Sequence, residues 1–331
     1  MLTLLRRYKR FLITISFAYI YTLFVLVAPT NLEVTAPGGL TPVDQTIAIE
    51  GIDFVDDFYT IYVYSYYPVT AFQSFILRND ERMDLSTMTL RQQDTSWRDQ
   101  FLAGQVAKLV SLTSSLINAY QLAGEIDDQI SIDYSFQGLY VYYRPSRLSE
   151  LEVGDEVIEI NGQSYVDHDQ QSFLALANSK EVTLKVRRMM NGIEELHTVS
   201  YMLDEAEPAL IFYPYYGIHN AQPSFSLPGL NTVIGGPSGG MIQTLSIYAS
   251  LLKINISDIK IAGTGTINMD GTIGRIGGLT QKMYTAIDEN VDLFFLPLSH
   301  FNEIPDLDYP YKIIVVSTIR EAVQALHEAI D

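Results

Sequence analysis

Ser238 and Lys282 are the two residues of this sequence best suited to do chemistry together. Ser238 stands in the glycine-rich run from Gly235 to Gly240, and Lys282 follows 44 residues later. A serine hydroxyl becomes a good nucleophile only when a nearby base removes its proton. A lysine amine can be that base when it is neutral, which requires its pKa to fall from about 10.4 to about 7. Burial among apolar groups lowers the pKa of a lysine by about 3–5 pH units.

The elements predicted around the two residues would place them suitably. Glycines on both sides of Ser238 let a substrate approach the backbone closely, and a helix is predicted from about Gly239 to Lys253. The free amides at the start of that helix would stabilise a negatively charged oxygen. Lys282 is predicted to lie in the first turn of a second helix that Thr280 caps. Its predicted apolar neighbours are Ile276, Leu279, Met283 and Ala286.

From Ile234 to Pro297 the sequence resembles the proteolytic domain of Lon proteases. The resemblance rests on the run around Ser238, on the segment Thr-Gly-Thr-Ile that begins at Thr264, on the segment ending in Gly277-Gly278 before the lysine, and on Phe-Phe-Leu-Pro at 294–297. It implies that Ser238 is the nucleophile and Lys282 its base. Thr264 would hydrogen-bond the lysine, and Gly236 and Gly239 would support the site. Gly239 replaces an alanine of Lon and Ile234-Gly235 replaces an acid, as in smaller membrane-anchored relatives that pair a PDZ domain with a Lon-type protease.

The resemblance also implies how such an enzyme would work. The sequence has no P-loop motif, whose glycine-rich loop would bind nucleotide phosphates. An ATP-independent peptidase is therefore expected, with exported peptides, signalling peptides or unfolded proteins as substrates and with neither metal nor cofactor. Lon domains form rings, so a homo-oligomer is compatible with the resemblance, although no residue pattern fixes a number of subunits.

A second unit is predicted from about residue 125 to residue 203. The segment from Leu151 to Gly162 indicates a tight turn, a short strand and an Asn-Gly hairpin, and residues 182–188 alternate like a half-buried strand. This order resembles a PDZ domain. The resemblance implies that a peptide is received, by strand addition and carboxylate capture, at Gly138, Leu139, Tyr140 and Val141. A generic small β-domain with a conventional hairpin is the alternative.

The N-terminus carries a candidate membrane anchor. Phe11 to Ala28 contains 18 residues without a charge and follows four basic residues, Arg6, Arg7, Lys9 and Arg10. About 20 apolar residues suffice to cross a bilayer, and the basic flank predicts a cytoplasmic N-terminus with the rest of the chain outside the cell membrane. A cleaved signal peptide is the alternative, although its apolar core is usually only about 7–15 residues long.

These patterns together predict an α+β fold. Its parts are a cytoplasmic stub and transmembrane helix at 1–30, a β-rich segment with a helix from Ser96 to Gly124 at 31–124, a PDZ-like domain at 125–203, and a Lon-like proteolytic domain at 204–331. Strands in the second part are expected to break at Pro37-Gly38-Gly39. The helix near 96–120 resembles the one that precedes the catalytic strands in Lon, so the protease fold is predicted to be split around the PDZ-like unit. A separate β-rich N-terminal domain is the alternative.

Composition and competing motifs narrow the function. The net charge of −18 disfavours binding to nucleic acid, and the absence of cysteine excludes a thiol nucleophile. Gly236 to Gly240 also fits the G-x-S-x-G turn of α/β-hydrolases, with His300 and His327 downstream, but repeated strand–helix units are missing upstream. A signal-peptidase-like enzyme would not explain the segments after Thr264. The main alternative to a membrane-anchored serine endopeptidase is a non-catalytic, membrane-anchored PDZ scaffold.

Overall fold

The computed structural model describes residues 8–55, 57–190, 192–202, 209–232, 235–256 and 259–330. Arg6, Arg7, Ile234 and the predicted unit boundary at 203/204 lie outside these ranges. The helices are α1 (Lys9–Val27), α2 (Ala71–Leu77), α3 (Leu90–Asp94), α4 (Trp97–Gly124), α5 (Gln170–Ala175), α6 (Gly240–Leu251), α7 (Leu279–Asp288) and α8 (Ile319–Ile330). The strands are β1 (Leu32–Pro42), β2 (Ala48–Ile49), β3 (Phe58–Tyr66), β4 (Asp84–Thr87), β5 (Ser131–Tyr143), β6 (Glu156–Ile160), β7 (Gln163–Ser164), β8 (Glu181–Met190), β9 (Ile193–Met202), β10 (Ile211–Gln222), β11 (Phe225–Ser226), β12 (Ile261–Gly263), β13 (Thr266–Ile267), β14 (Ile273–Gly274), β15 (Leu293–Pro297) and β16 (Lys312–Val316).

The first sheet of this mixed α/β fold joins strands from distant parts of the sequence. Its order is β16-β15-β12-β3-β1-β4, with β12 parallel to both β3 and β15, and β1 antiparallel to β3. Strands of residues 32–87 therefore share one sheet with strands of residues 261–316. Helices α4 and α6 pack on each other and contribute Leu112, Leu116 and Leu245 to the largest buried apolar cluster. The side chain of Ser96 accepts a hydrogen bond from the Asp99 amide, so α4 has the ends that the sequence predicts.

The break predicted at Pro37-Gly38-Gly39 is wrong, because β1 continues through it. The register against β3 shifts between Pro37 and Gly39, which marks a bulge. At Gly38 a Cβ atom would lie 2.1 Å from the carbonyl oxygen of Tyr62. Glycine therefore allows the two backbones to approach at the bulge, and the extra residue is accommodated without ending the strand.

The second sheet is formed within residues 131–222. Its order is β10-β5-β6-β8-β9, and β7 pairs with β6. The predicted hairpin is present, since Asn161 and Gly162 have φ of 51° and 78° between the paired residues Ile160 and Gln163. Along β8 the inward side chains Val182, Leu184 and Val186 are fully buried, as the alternating pattern predicts.

Helix α1 is the one helix in the described ranges whose length and apolar character fit a membrane crossing. No residue of α1 is buried in the structure, and its length and composition are compatible with a lipid environment. The chain after α1 is tied to the start of α2, because the Thr30 amide donates to the Val69 carbonyl at 2.8 Å. Three apolar side chains of α2 remain exposed beside this junction, Phe72, Phe75 and Ile76.

Candidate active site

Ser238 lies in a tight turn that neighbouring elements hold from several sides. The Gly236 amide donates to the Gly104 carbonyl at 3.0 Å, and the Gly265 amide donates to the Ser238 carbonyl at 2.7 Å. The Ser111 hydroxyl of α4 donates to the Pro237 carbonyl at 3.1 Å. The serine side chain itself is half-buried. The turn is thus fixed between α4 and the loop before β13 while Ser238 stays accessible.

Glycines in this turn have specific reasons to be there. A Cβ atom at Gly235 would lie 2.8–2.9 Å from backbone atoms of Gly104, and one at Gly239 would lie 2.9 Å from the Thr60 methyl group. Gly236 has φ of +104°, which residues with side chains rarely adopt. Gly239 precedes α6, which starts at Gly240 and ends at Leu251, slightly inside the range predicted for it.

Lys282 lies in the first turn of α7. The residue before this helix is Gly278 in the left-handed conformation, at φ 65°, and no side chain caps the helix. The prediction that Thr280 caps it is wrong, because Gly278 already turns the chain and Thr280 lies inside the helix. The Lys282 amide donates to the Gly278 carbonyl at 3.0 Å, and the lysine is only 2% exposed.

The structure brings Ser238, Lys282 and Thr264 into direct contact. The Lys282 Nζ lies 2.9 Å from the Ser238 Oγ and donates to the Thr264 Oγ1 at 2.8 Å. The Thr264 hydroxyl in turn donates to the Ser238 carbonyl at 3.2 Å, and Thr264 is fully buried. The resemblance described in the sequence analysis predicts that these three residues lie together. Their contacts orient the amine toward the serine hydroxyl.

The electrostatics of Lys282 suit a proton acceptor. Burial lowers the pKa of the Lys282 amine from 10.5 to about 7. The physical cause is the loss of hydration, which penalises the charged ammonium far more than the neutral amine. A substantial fraction of the amines is therefore neutral near pH 7, and the lone pair of a neutral amine can take a proton from Ser238.

A groove of about 1020 Å³ runs past the two residues. Residues 61–66 of β3 line one side of it, and residues 235–239 and 276–278 line other parts. Several tyrosines face it, namely Tyr62, Tyr64, Tyr66, Tyr142 and Tyr213. An extended peptide could therefore reach Ser238 from outside.

Two positioning residues were missed in the sequence. His300 is 2% exposed; its Nε2 accepts from the Ile276 amide at 2.9 Å and its Nδ1 lies 2.7 Å from Glu303. It thereby supports the loop just before Lys282.

The buried Lys108 of α4 donates to the Gly229 carbonyl and, at 2.6 Å, to the Thr232 hydroxyl, and burial lowers its pKa. For Lys108, the available sequence signal was a lysine among the apolar residues of α4.

The histidines do not form a hydrolase triad with Ser238. His300 contacts the Ile276 amide and Glu303, and the ring of His327 lies beside Tyr248, with its Nε2 3.4 Å from the tyrosine hydroxyl. In the part of the chain that the structure describes, Lys282 is the base in contact with the Ser238 hydroxyl. This arrangement argues against the α/β-hydrolase alternative.

The predicted peptide-receiving strand is not open. Gly138, Leu139, Tyr140 and Val141 lie in β5, which pairs with β10 along one edge. On its other edge Leu139 pairs with Val157 of β6, and the Val141 amide donates to the Asp155 carbonyl. The expectation of a free strand edge at these four residues is therefore wrong, because β10 already fills the place that an added peptide would take.

Comparisons with known proteins agree with the location of the site. Residues 199–329 match the family model described as the Lon protease (S16) C-terminal proteolytic domain. The chain is 32% identical over 77 residues to a Lon protease of Mycoplasmopsis agalactiae, covering 23% of this chain and 8% of that protein. It is 29% identical over 111 residues to Lon protease 2 of Bacillus subtilis, covering 34% of this chain and 19% of the relative.

A Lon protease of Helicobacter pylori is 27% identical over 117 residues, covering 34% of this chain and 13% of the relative. The chain thus spans less than a fifth of the length of these relatives. The matched region contains Ser238, Thr264 and Lys282. The C-terminal part of the chain is therefore similar to the Lon-type proteolytic domain, and this similarity supports serine protease activity.

Proposed function

We propose that the protein is a membrane-anchored, ATP-independent serine endopeptidase in which Ser238 is the nucleophile and Lys282 the general base. The observation that carries this proposal is the buried Lys282 amine 2.9 Å from the Ser238 hydroxyl. A buried amine with a pKa of about 7 is matched to proton transfer near neutral pH, where a general base is most effective. The similarity of residues 199–329 to a serine protease domain supports the same assignment.

The proposed reaction uses groups already in contact. Neutral Lys282 takes the hydroxyl proton as the Ser238 Oγ attacks the peptide carbonyl carbon, and Thr264 keeps the amine in line through its hydrogen bond. The resulting ammonium gives the proton to the departing amine when the peptide bond breaks. Water then attacks the acyl-serine, Lys282 takes a proton from that water, and the same proton returns to the Ser238 oxygen as the acid product leaves.

The developing negative oxygen needs hydrogen-bond donors. Within the described residues, the amides of Ser238 and Gly239 donate to no protein acceptor, and both residues line the groove. Each lies at the start of α6, where the helix dipole favours negative charge. We assign these two amides to the oxyanion, with Gly236 and Gly239 giving the backbone the space to approach the substrate.

We further propose that the protease fold is assembled from residues 31–124 and 204–331, with a PDZ-like unit inserted at 125–203. The shared sheet supports this division, because β3 pairs with β12 and α4 packs on α6. Tyr142 of β5, inside that unit, lines the groove, and so does Tyr213 of β10, which follows the unit and completes its sheet by pairing with β5. The inserted unit therefore borders the path of the substrate, which suits a gate better than a separate peptide-binding scaffold whose strand edge is covered.

The proposed setting is the outer side of the cell membrane. The exposed apolar helix α1 and the basic residues before it support a single span with a cytoplasmic N-terminus. With no ATP-driven unfolding, the groove would accept extended segments only, such as exported peptides, signalling peptides or unfolded proteins. The proposal is compatible with a homo-oligomer and sets no number of subunits.

The test uses the full chain in detergent micelles with an unstructured protein and synthetic peptides as substrates. Wild type should cleave both in the presence of a chelator and without ATP. Ser238→Ala and Lys282→Met should each abolish cleavage, while Lys180→Met, at an exposed site, should not. Intact peptide bound tightly by wild type would instead support the scaffold alternative and overturn the proposal.

A further inference from the structure

The groove that passes Ser238 has an unusual charge distribution for this chain. The sequence contains 39 acidic and 21 basic residues, yet no aspartate or glutamate is among the described residues that line the groove. Four basic residues do line it, namely Arg91, Lys108, Arg275 and Lys282. The described lining of the groove is therefore free of acids within a strongly acidic protein, so a negatively charged ligand meets no carboxylate among these residues.

Of these four basic residues, Arg91 is the one whose positive charge is available to a ligand. Lys282 is buried with a lowered pKa, and Lys108 donates to Gly229 and Thr232. Arg275 forms an ion pair with Glu303. For Arg91, the described part of the chain provides no acidic partner; its guanidinium carbon lies 6.0 Å from the ring centroid of Tyr143.

Arg91 stands where the groove continues into a neighbouring cavity of about 500 Å³. The groove and the cavity share Arg91, Tyr142 and Gly235. The cavity also contains Arg144, but this side chain is paired with Asp99 at 3.1 Å. A negatively charged group that enters from the groove therefore meets Arg91 as its available cation.

The strand β3 gives the distance between Arg91 and the reaction centre. Thr60 lies beside Gly239, next to the nucleophile, whereas Ser65 lines both the groove and the cavity together with Arg91. Five residues of strand span roughly 16 Å at about 3.3 Å each. An extended substrate has the same rise, so the residue facing Arg91 lies about four to six residues from the cleaved bond.

The backbone of β3 is open along this path. Its pairing with β12 covers Phe58 to Thr60 and stops there. Beyond Thr60, the described residues provide no strand on that side of β3, while β1 occupies the opposite side. An extended segment can therefore add to residues 61–66 by backbone hydrogen bonds. Alternate tyrosines of β3 would flank it, with ring centroids 5.5 Å apart for Tyr62 and Tyr64.

We propose that Arg91, with the tyrosines around it, forms a subsite for an aspartate or glutamate side chain of an extended substrate, four to six residues from the cleaved bond. The proposal rests on the function proposed above, because it assumes that Ser238 cleaves what lies in the groove. Arg91 would bind the carboxylate by charge-assisted hydrogen bonds, and the tyrosine rings would exclude water from one side of the ion pair. This subsite would give the enzyme a preference for acidic substrates, which neither Ser238 nor Lys282 supplies.

The test compares peptides that differ at one position. A peptide with glutamate placed four to six residues on either side of the cleaved bond is paired with its glutamine version, and kcat/KM is measured for both. Wild type should prefer glutamate by about 3- to 10-fold at low salt on one side of the bond, and less at 1 M salt because surface charges are screened. Arg91→Gln should bring the ratio to about 1, and Arg91→Glu should favour a lysine version.

Arg78→Gln is the matched control, because Arg78 is also a surface arginine and does not line the groove. It should keep the wild-type ratio. A glutamate-to-glutamine ratio near 1 at every position in wild type, with cleavage that still depends on Ser238, would overturn the subsite and leave the protease proposal standing.

Binding provides a readout that does not need cleavage. Trp97 is the only tryptophan of the chain and lines the cavity beside Arg91. In the Ser238→Ala variant, the glutamate peptide should change the Trp97 fluorescence at a several-fold lower concentration than the glutamine peptide. Equal affinities would contradict the subsite. If wild type cleaves neither peptide but this difference is present, the protease proposal fails and the binding site stands.

Discussion

Replacing Lys282 by methionine should make the protein more stable at neutral pH and less stable at high pH. The wild-type amine has a pKa lowered from 10.5 to about 7 by burial. Between these values the unfolded chain binds a proton that the folded protein does not, so wild-type stability rises with pH across this range. Each pH unit is worth about 1.4 kcal/mol, so the folded protein carries a cost of roughly 5 kcal/mol at and below pH 7.

Methionine removes this cost but also removes two contacts. The hydrogen bonds of Lys282 to Ser238 and Thr264 are worth about 1 kcal/mol each. Combining both effects, we expect Lys282→Met to be more stable than wild type by about 2–3 kcal/mol at pH 7 and below. The two should be equally stable near pH 9, and the variant should be less stable by about 1 kcal/mol at pH 10.

The measurement is urea unfolding of the full chain in micelles, followed by far-ultraviolet circular dichroism at pH 6, 7, 8, 9 and 10. Lys180→Met is the control at an exposed site, and its difference from wild type should not change sign over the range. A Lys282→Met variant that is destabilised equally at pH 6 and pH 10 would refute the reasoning. Lys282 would then be charged in the fold and unable to act as the base.

Three further predictions follow from neighbouring contacts. Thr264→Val removes the hydroxyl that binds the Lys282 Nζ, so kcat should fall about 10- to 100-fold with a smaller change in KM, and Thr264→Ser should restore most of it. His300→Ala removes the acceptor of the Ile276 amide and should lower the free energy of unfolding by about 1–3 kcal/mol, whereas a fully stable variant would show that this contact is dispensable. Gly235→Ala should cut kcat about 100-fold, because its Cβ would press on the Gly104 backbone and shift the turn; Gly104→Ala, whose Cβ has 3.7 Å of room, should be nearly neutral.

The local part of the site was predictable from the sequence. The turn around Ser238, the buried setting of Lys282 and the ends of α4 depend on glycines, caps and apolar neighbours within short segments, whereas the contact of Lys282 with Thr264 was implied by the resemblance to Lon proteases. The resemblance to Lon proteases then joined segments that are far apart in the sequence. Local rules failed at the start of α7, where Gly278 turns the chain and makes a Thr280 cap unnecessary.

The rest depends on pairings between distant residues. No local pattern indicates that β10 fills the edge of β5, because a strand sequence specifies its face but not its partner. The role of His300 depends on a buried contact with Ile276, 24 residues earlier. The absence of aspartate and glutamate from the described lining of the groove likewise arises only when β3, α3 and the serine turn come together.

The pairing of β3 with β12 has a consequence for how the protein is made. These neighbouring strands lie roughly 200 residues apart in the sequence, and contacts of such separation form late in folding. A nascent chain whose last third has not been synthesised lacks Ser238, Lys282 and β12, one of the two strands that pair with β3. Under the proposed function, completion of the chain therefore acts as the activation step, because an unfinished product cannot bring the proposed nucleophile and base together.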